Sequence, residues 1–189
     1  KPGLKTMDNT KLQKLNLLTT GHFKAFLYDC DGTLADNMQA HKDSFVKAAS
    51  EFGFVLDPSL IDELAGQPTN AVVAEISRRY QVALDTETFS SRKGSIFAEE
   101  YIEHTRPVPF VVDHLVQHAG KIKIGVVSGG RRLTVEKTLK LLGIDHLVET
   151  IVCAGETKLG KPFPDPFLKA AQELGVAPDV ASTIDLLDV

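Results

Sequence analysis

The apolar residues of this chain fall into short continuous runs at its two ends. Runs at residues 25–28 and 122–127 predict buried strands, because a parallel strand covered on both faces carries little but apolar residues. A third strand is predicted near 148–153, and residues 181–184, directly before Asp185, are assigned to a fourth. Between the strands at 122–127 and 148–153, a helix is predicted from about Arg132 to Leu142, ended by Gly143, with one buried face. That face is expected to hold Leu133, Val135, Leu139 and Leu142.

The middle of the chain breaks this alternation. Residues 37–106 lack obvious strands and carry apolar residues at helical spacing, separated by loop signals such as Asp57-Pro58 and Gly66-Gln67-Pro68. We therefore predict an N-terminal extension at 1–21, an α/β core at 22–36 and 107–189, and a helical insertion at 37–106. Strand and helix alternation in the core favours a doubly wound parallel sheet.

Composition and charge give no indication of a nucleic-acid-binding or membrane-spanning protein. The 189 residues carry a net charge of −4, which gives no reason to expect nucleic acid or an acidic membrane as partner. No apolar stretch is long enough to span a bilayer, and residues 1–20 lack the apolar region of a signal peptide. Cys30 and Cys153 are expected to be buried, reduced thiols. We expect a cytoplasmic protein, and a monomer, although the sequence does not give the oligomeric state.

Two acidic residues directly follow the first predicted strand. Asp29 and Asp31 start on one face, because residues i and i+2 of a strand point the same way. The carboxyl ends of parallel strands are where open α/β sheets bind ligands. Close carboxylates need a cation or a shared proton, and Mg²⁺ suits such oxygen ligands. A solvated turn is the alternative; a calcium loop is excluded, because its twelfth position is Ala40 rather than Glu.

Two further segments suit an anion. Ser128 ends the second strand before Gly129 and Gly130, whose backbone N–H groups can bind a phosphate beside a helix N-terminus. Lys161 lies in a loop stiffened by Pro162 and Pro164, so its ammonium can be aimed at one place. The alternatives are an ordinary strand-to-helix turn and a surface lysine.

These segments resemble the motifs of the haloacid dehalogenase (HAD) superfamily of phosphatases and phosphomutases. The run Asp29-Cys30-Asp31-Gly32-Thr33-Leu34 is similar to its first motif, the Ser128 turn to its second and the Lys161 loop to its third. The helical insertion resembles the cap of β-phosphoglucomutase-like members. The resemblance implies a Rossmann-like core and a phosphatase that acts on a small phosphorylated metabolite, with a sugar phosphate as the leading candidate.

The resemblance also implies a role for each site residue. Asp29 would be the nucleophile that forms an aspartyl-phosphate, and Asp31 the general acid and base. Ser128, Gly129 and Lys161 would bind the transferring phosphate.

A magnesium ion is implied at the same place. Its ligands would be Asp29, the backbone carbonyl of Asp31, and Asp185. The family usually ends its fourth motif with an acidic pair; here Asp185 falls on the first acid and Leu186 on the second, with Asp188 as a less suitable substitute. Related chains continue with another helix and strand, so the C-terminal part of the core is expected to be truncated.

Other activities within the superfamily remain as alternatives. Asp31 argues against dehalogenation, because haloacid dehalogenases lack this acid. His41 matches a cap-hinge histidine of β-phosphoglucomutase-like proteins, which supports a phosphosugar mutase, although a helix-surface histidine is equally expected. Asn70 and Ala71 stand where an arginine often follows the cap loop, which weakens that interpretation. Leu186 keeps open a catalytically impaired member that only binds phosphorylated ligands.

Overall fold

The computed structural model describes the backbone of residues 3–186 and the side chains of residues 8–186. Two compact units separate within it: residues 37–105 form a cap unit, and the rest of the described chain forms a core unit. The predicted boundary assigned Arg106 to the insertion. The structure places it in the core unit instead, because Arg106 pairs with Asp36 in a short antiparallel ribbon.

The described chain alternates helices and strands at both ends and is helical in the middle. In chain order the elements are α1 (Gly3–Leu18), β1 (Ala25–Tyr28), β2 (Ala35–Asp36), α2 (Met38–Glu51), α3 (Ser59–Glu63), α4 (Thr69–Tyr80), α5 (Thr86–Ile96), β3 (Arg106–Pro107), α6 (Pro109–His118), β4 (Lys123–Val127), α7 (Arg132–Leu141), β5 (Thr150–Val152), α8 (Asp165–Glu173) and β6 (Ala181–Ile184). A π-helical turn at Phe97–Tyr101 continues α5, and 3₁₀ turns lie at Ile102–His104, Asp145–Leu147 and Pro178–Val180.

A four-stranded parallel sheet forms the centre of the core unit, in the order β5-β4-β1-β6. All four residues of β1 are buried, as the continuous apolar run predicts. Because β1 lies between β4 and β6, the segments that follow these three strands reach the same edge of the sheet. The parallel α/β sheet predicted from the sequence is confirmed.

Apolar side chains cover both faces of this sheet. One layer joins β1 and β4 to α6 and α7, and the other joins them to α8. Helix α1 packs against α6, and its Leu15 is only 2% exposed in the first layer. The described part of the predicted N-terminal extension therefore packs within the core unit rather than lying outside it. Cys30 and Cys153 are buried free thiols, as predicted.

Helix α7 follows the predicted spacing except at one position. Val135 and Leu139 are buried and Leu142 packs against the core, and these residues are spaced by four and three. Leu133 is 82% exposed, so its predicted burial is wrong. It precedes Val135 by two residues, which turns it to the other side of the helix. Gly143 follows the helix with a φ of 72°, where glycine is favoured.

The cap unit has its own hydrophobic core. Helices α2, α4 and α5 bury one face each, with Phe45, Val73, Ile76 and Phe89 among the enclosed residues. His41 stacks on the Phe97 ring at 4.1 Å between centroids, and its Nδ1 lies 2.7 Å from the Lys93 ammonium. The helical insertion has the character that its spacing predicts. None of the helices described here is both long and apolar enough to cross a membrane.

Candidate active site

Asp29 occupies the first position after β1. Its backbone N–H donates to the Ile184 carbonyl of β6 at 2.9 Å, so the parallel ladder continues one residue beyond the strand. Oδ1 accepts a hydrogen bond from the Lys161 ammonium at 2.8 Å, and Oδ2 lies 3.4 Å from the Thr33 hydroxyl. Two residues remote in sequence, Asp29 and Lys161, thus meet at the edge of the sheet where ligands bind.

The charge on Asp29 is set by opposing effects. Burial raises the pKa of Asp29, the Lys161 ammonium lowers it, and the nearby Asp185 and Asp31 carboxylates raise it; the net result is a pKa of about 6. Both partners of the ion pair are largely enclosed, with side chains 12% exposed for Asp29 and 10% for Lys161. The ammonium therefore keeps a buried carboxylate ionised at neutral pH.

Thr33 is a site residue that the sequence argument missed. It is 1% exposed, and its hydroxyl accepts the Leu186 N–H at 3.1 Å while pointing toward Asp29. In the sequence, Gly32-Thr33 suits a sharp turn, which does not indicate a partner for the hydroxyl. Its place in the segment that follows the first strand was the available signal; its burial, which makes a hydroxyl need hydrogen-bond partners, is a property of the fold.

The turn after β4 brings Ser128 and Asp31 together. Ser128 N–H donates to the Val152 carbonyl at 2.9 Å, and the Ser128 hydroxyl accepts the Gly130 N–H at 3.0 Å. A Cβ on Gly130 would lie 3.2 Å from the Ser128 oxygen and 3.3 Å from Asp31 Oδ2. The hydroxyl and the second carboxylate therefore face the same small space beside Gly130. Gly129 lies within this turn, and its role as a phosphate ligand stays a prediction.

The end of β6 distinguishes the two candidate positions of the fourth motif. Asp185 is close enough to Asp29 to raise its pKa. Leu186 packs its side chain against the apolar core cluster, so it does not occupy a ligand position. Asp188, the weaker substitute, lies outside the described residues.

The oxygen atoms around Asp29 fit a hard divalent cation by their chemistry. Three carboxylates, those of Asp29, Asp31 and Asp185, lie near one another, since both neighbouring acids raise the pKa of Asp29. Among the described residues, no group of three histidine, cysteine, aspartate or glutamate side chains is placed to hold a metal ion. Ligation would therefore depend on backbone oxygen and water as well as carboxylates, which is usual for Mg²⁺.

Acids, an ammonium and a serine turn at one edge of a parallel sheet are typical of enzymes that process phosphate groups. The chain belongs to the haloacid dehalogenase-like hydrolases, whose family model matches residues 26–185. The resemblance drawn from the motifs is confirmed.

Relatives of this chain include several phosphatases. It is 28% identical over 156 residues to the fructose-1-phosphate phosphatase YqaB of Escherichia coli, covering 82% of each chain. It is 31% identical to the pyrophosphatase PpaX of Oceanobacillus iheyensis, covering 82% of this chain and 71% of that one. The protein is thus an enzyme of the HAD phosphatase type.

The fold is shared with solved structures of the same kind. A β-phosphoglucomutase from Clostridium difficile superposes with a TM-score of 0.75 at 24% identity, covering 86% of this chain and 76% of that one. At this identity the likeness establishes the fold alone.

Proposed function

We propose that the protein hydrolyses the phosphate ester of a small metabolite, with a sugar phosphate as the leading candidate, through an aspartyl-phosphate on Asp29. The observation that carries the proposal is the 2.8 Å contact between the Asp29 carboxylate and the Lys161 ammonium at the strand edge. An ionised carboxylate is a nucleophile that needs no deprotonation. A lysine with three donors can hold that carboxylate and a phosphoryl oxygen together.

The reaction is proposed in two steps. An Asp29 oxygen attacks phosphorus, the bond to the ester oxygen breaks, and Asp31 gives that oxygen its proton. Water then attacks the aspartyl-phosphate while Asp31 takes its proton, which releases inorganic phosphate and restores the Asp29 carboxylate. The Ser128 hydroxyl, the Gly129 N–H and the Lys161 ammonium would stabilise the negative oxygens of the transferring group in both steps.

Mg²⁺ is the proposed cofactor. Asp29, the backbone carbonyl of Asp31, and Asp185 would hold it, which fits the neighbouring carboxylates described above. When bound, it would offset the negative charge shared by the nucleophile and the phosphate.

The relatives support a small phosphorylated substrate but differ in its nature. One is named for fructose 1-phosphate and another for pyrophosphate. Our chain matches 82% of the fructose-1-phosphate phosphatase but 71% of the pyrophosphatase, and we therefore place sugar phosphates first. The small phosphorylated substrate and the monomeric state remain proposals.

Phosphate release from a panel of sugar phosphates and pyrophosphate, with and without Mg²⁺, tests this proposal. Asp29→Asn should abolish turnover, and the matched exposed variant Asp179→Asn should retain it. Acid quenching of the wild-type reaction should trap phosphate on the protein, and Asp29→Asn should trap none.

Other outcomes would favour the alternatives. Isomerisation of a sugar phosphate without phosphate release would indicate a mutase. Binding of phosphate by a folded protein that turns over nothing would indicate an impaired, ligand-binding member. Full activity of Asp29→Asn would exclude the proposed nucleophile.

A further inference from the structure

A bidentate ion pair lies between the two phosphate-binding segments. Arg132, the first residue of α7, donates from Nε to Glu156 Oε1 at 2.6 Å and from Nη2 to Glu156 Oε2 at 2.9 Å. Its Nη2 also donates to the Ile151 carbonyl at 2.7 Å. One guanidinium therefore fastens the helix that follows the Ser128 turn to β5 and to the loop beyond it.

Glu156 is held from the other side as well. Its Oε2 accepts the Cys153 N–H at 2.9 Å, and its backbone carbonyl accepts from the Lys169 ammonium of α8 at 3.1 Å. Hydrogen bonds to Arg132 are the largest cause of the lowered pKa of Glu156, so this carboxylate stays ionised over the working range of pH. The loop after β5 is thus tied to the helices before and after it.

The same segment is joined to the Ser128 turn through the backbone. Ala154 N–H donates to the Gly130 carbonyl at 3.0 Å, and Ser128 N–H donates to the Val152 carbonyl at 2.9 Å. Lys161 comes five residues after Glu156 and must reach Asp29 from this loop. Whatever fixes Glu156 therefore limits where the ammonium of Lys161 can lie.

We infer that Arg132 and Glu156 are positioning residues, which hold the Lys161 loop against the Ser128 turn so that the ammonium and the hydroxyl bind one phosphoryl group. The inference rests on the proposed function. It assigns to the pair a role in the geometry of the anion site, although neither side chain is expected to touch substrate.

An effect on stability alone is not expected from this pair. Arg132 is 44% exposed, and ion pairs in water contribute little to the free energy of unfolding. The reaction rate is far more sensitive to the position of the reacting groups, since a displacement of about 1 Å can lower a rate by about 10²-fold. The planar fork of arginine holds both carboxylate oxygens, which the single ammonium of a lysine cannot do.

The variants Arg132→Gln, Arg132→Lys and Glu156→Gln test the inference. Each should lower kcat/KM for phosphate release by about tenfold to 10²-fold and weaken the binding of inorganic phosphate, with little change in the urea midpoint. Arg79→Gln is the matched control, because Arg79 also makes a short ion pair, with Glu75 at 2.7 Å, on the surface of the cap unit. It should retain wild-type kinetics.

A double-mutant cycle with Lys161→Ala separates positioning from general loosening. If Arg132 acts through Lys161, adding Arg132→Gln to Lys161→Ala should weaken phosphate binding by no more than about twofold further. Wild-type kinetics for Arg132→Gln, or independent losses in the cycle, would overturn the inference. Wild-type turnover by Lys161→Ala would instead contradict the proposed function.

Discussion

Gly130 lies where the Ser128 hydroxyl and the Asp31 carboxylate face each other, and a methyl group there would meet both. An alanine Cβ would also lie 3.1 Å from Val135 in α7, so the added atom has little room on any side. We expect Gly130→Ala to displace one of the two polar groups and to lower kcat/KM for phosphate release by about tenfold or more. Steady-state kinetics with the preferred substrate measure this.

Gly94 supplies the control for that substitution. It lies in α5 with nothing within 4 Å of a built Cβ, and alanine is the better helix former. Gly94→Ala should leave the kinetics unchanged and stabilise the cap unit by up to about 1 kcal/mol. Unchanged kinetics in Gly130→Ala would mean that Asp31 and Ser128 tolerate separation, and the proposed site geometry would need revision.

Single residues were predictable where chemistry and position agreed. Asp29 and Asp31 stand directly after an apolar strand, and Lys161 stands in a proline-stiffened loop, so each could be singled out from the sequence alone. Thr33 and the Arg132–Glu156 pair could not, because their contacts depend on which remote segments the sheet brings together. The residues next to a polar residue in a loop do not indicate which remote residue it will contact.

The segment after β6 shows how an element determines what its last residues do. Pairing of β6 with β1 leads Asp185 toward Asp29, while Leu186 turns its side chain to the apolar core. The sequence comparison alone treated Leu186 as the position of a missing ligand. The structure gives it a packing role instead.

We therefore expect Leu186→Asp to destabilise the protein rather than to improve metal binding. Placing a carboxylate against the apolar cluster should cost about 1–3 kcal/mol in the free energy of unfolding. Urea unfolding and the Mg²⁺ dependence of phosphate release measure the two effects. Asp185→Asn is the matched variant: it should leave the urea midpoint unchanged and raise the Mg²⁺ concentration needed for half-maximal phosphate release. If Leu186→Asp reached half-maximal phosphate release at a lower Mg²⁺ concentration than the wild type, residue 186 would be shown to reach the metal site.

Among the elements, the strands were the most predictable. The fully buried strand β1 carries a continuous apolar run, and both β1 and β6 have the predicted bounds. The prediction for Leu133 is wrong because this residue precedes Val135 by two positions, which turns its side chain to the exposed side of α7. Arg106 was assigned to the wrong unit, because a two-residue ribbon is too short to leave a pattern.

At the scale of the whole molecule, the sequence alone does not predict the order of the strands or the packing of α1. Burial of apolar runs requires a covered sheet but does not say which strand neighbours which. Residues 1–21 are predicted to be an extension, yet Leu15 in α1 and Thr19 just after it are buried in the core unit. A buried polar network, rather than apolar area alone, accounts for that attachment.

His114 is the centre of this network. The Thr19 hydroxyl donates to the Leu15 carbonyl at 2.8 Å, so its oxygen accepts from His114 Nε2, also at 2.8 Å. His114 Nδ1 then accepts from the Tyr28 hydroxyl at 2.6 Å. Both ring nitrogens are satisfied by a neutral imidazole, which links α1 and α6 to the strand that carries Asp29.

Protonation of His114 should therefore destabilise the fold. Burial, with a smaller effect of His118, lowers the pKa of His114 to about 4 from an ordinary value of 6.5. Between these two values the unfolded chain binds more protons than the folded one, so stability is full above pH 6.5 and falls as the pH approaches 4. The loss should be about 2 kcal/mol at pH 5 relative to pH 7.5, measured by urea unfolding at the two values.

The control for this prediction removes the titrating ring and keeps the hydrogen-bonding capacity. His114→Gln should be less stable at pH 7.5, because an amide fits the cavity less well, but should lack this share of the loss between pH 7.5 and pH 5. Comparing the two proteins cancels the contribution of other groups, including Asp29, whose raised pKa of about 6 favours the folded state in acid. An equal loss in both proteins would show that His114 is not the group that couples acid to unfolding. A loss confined to the wild type would establish that one buried histidine makes the stability of the core unit, in which α1 packs beside the strand before Asp29, dependent on neutral pH.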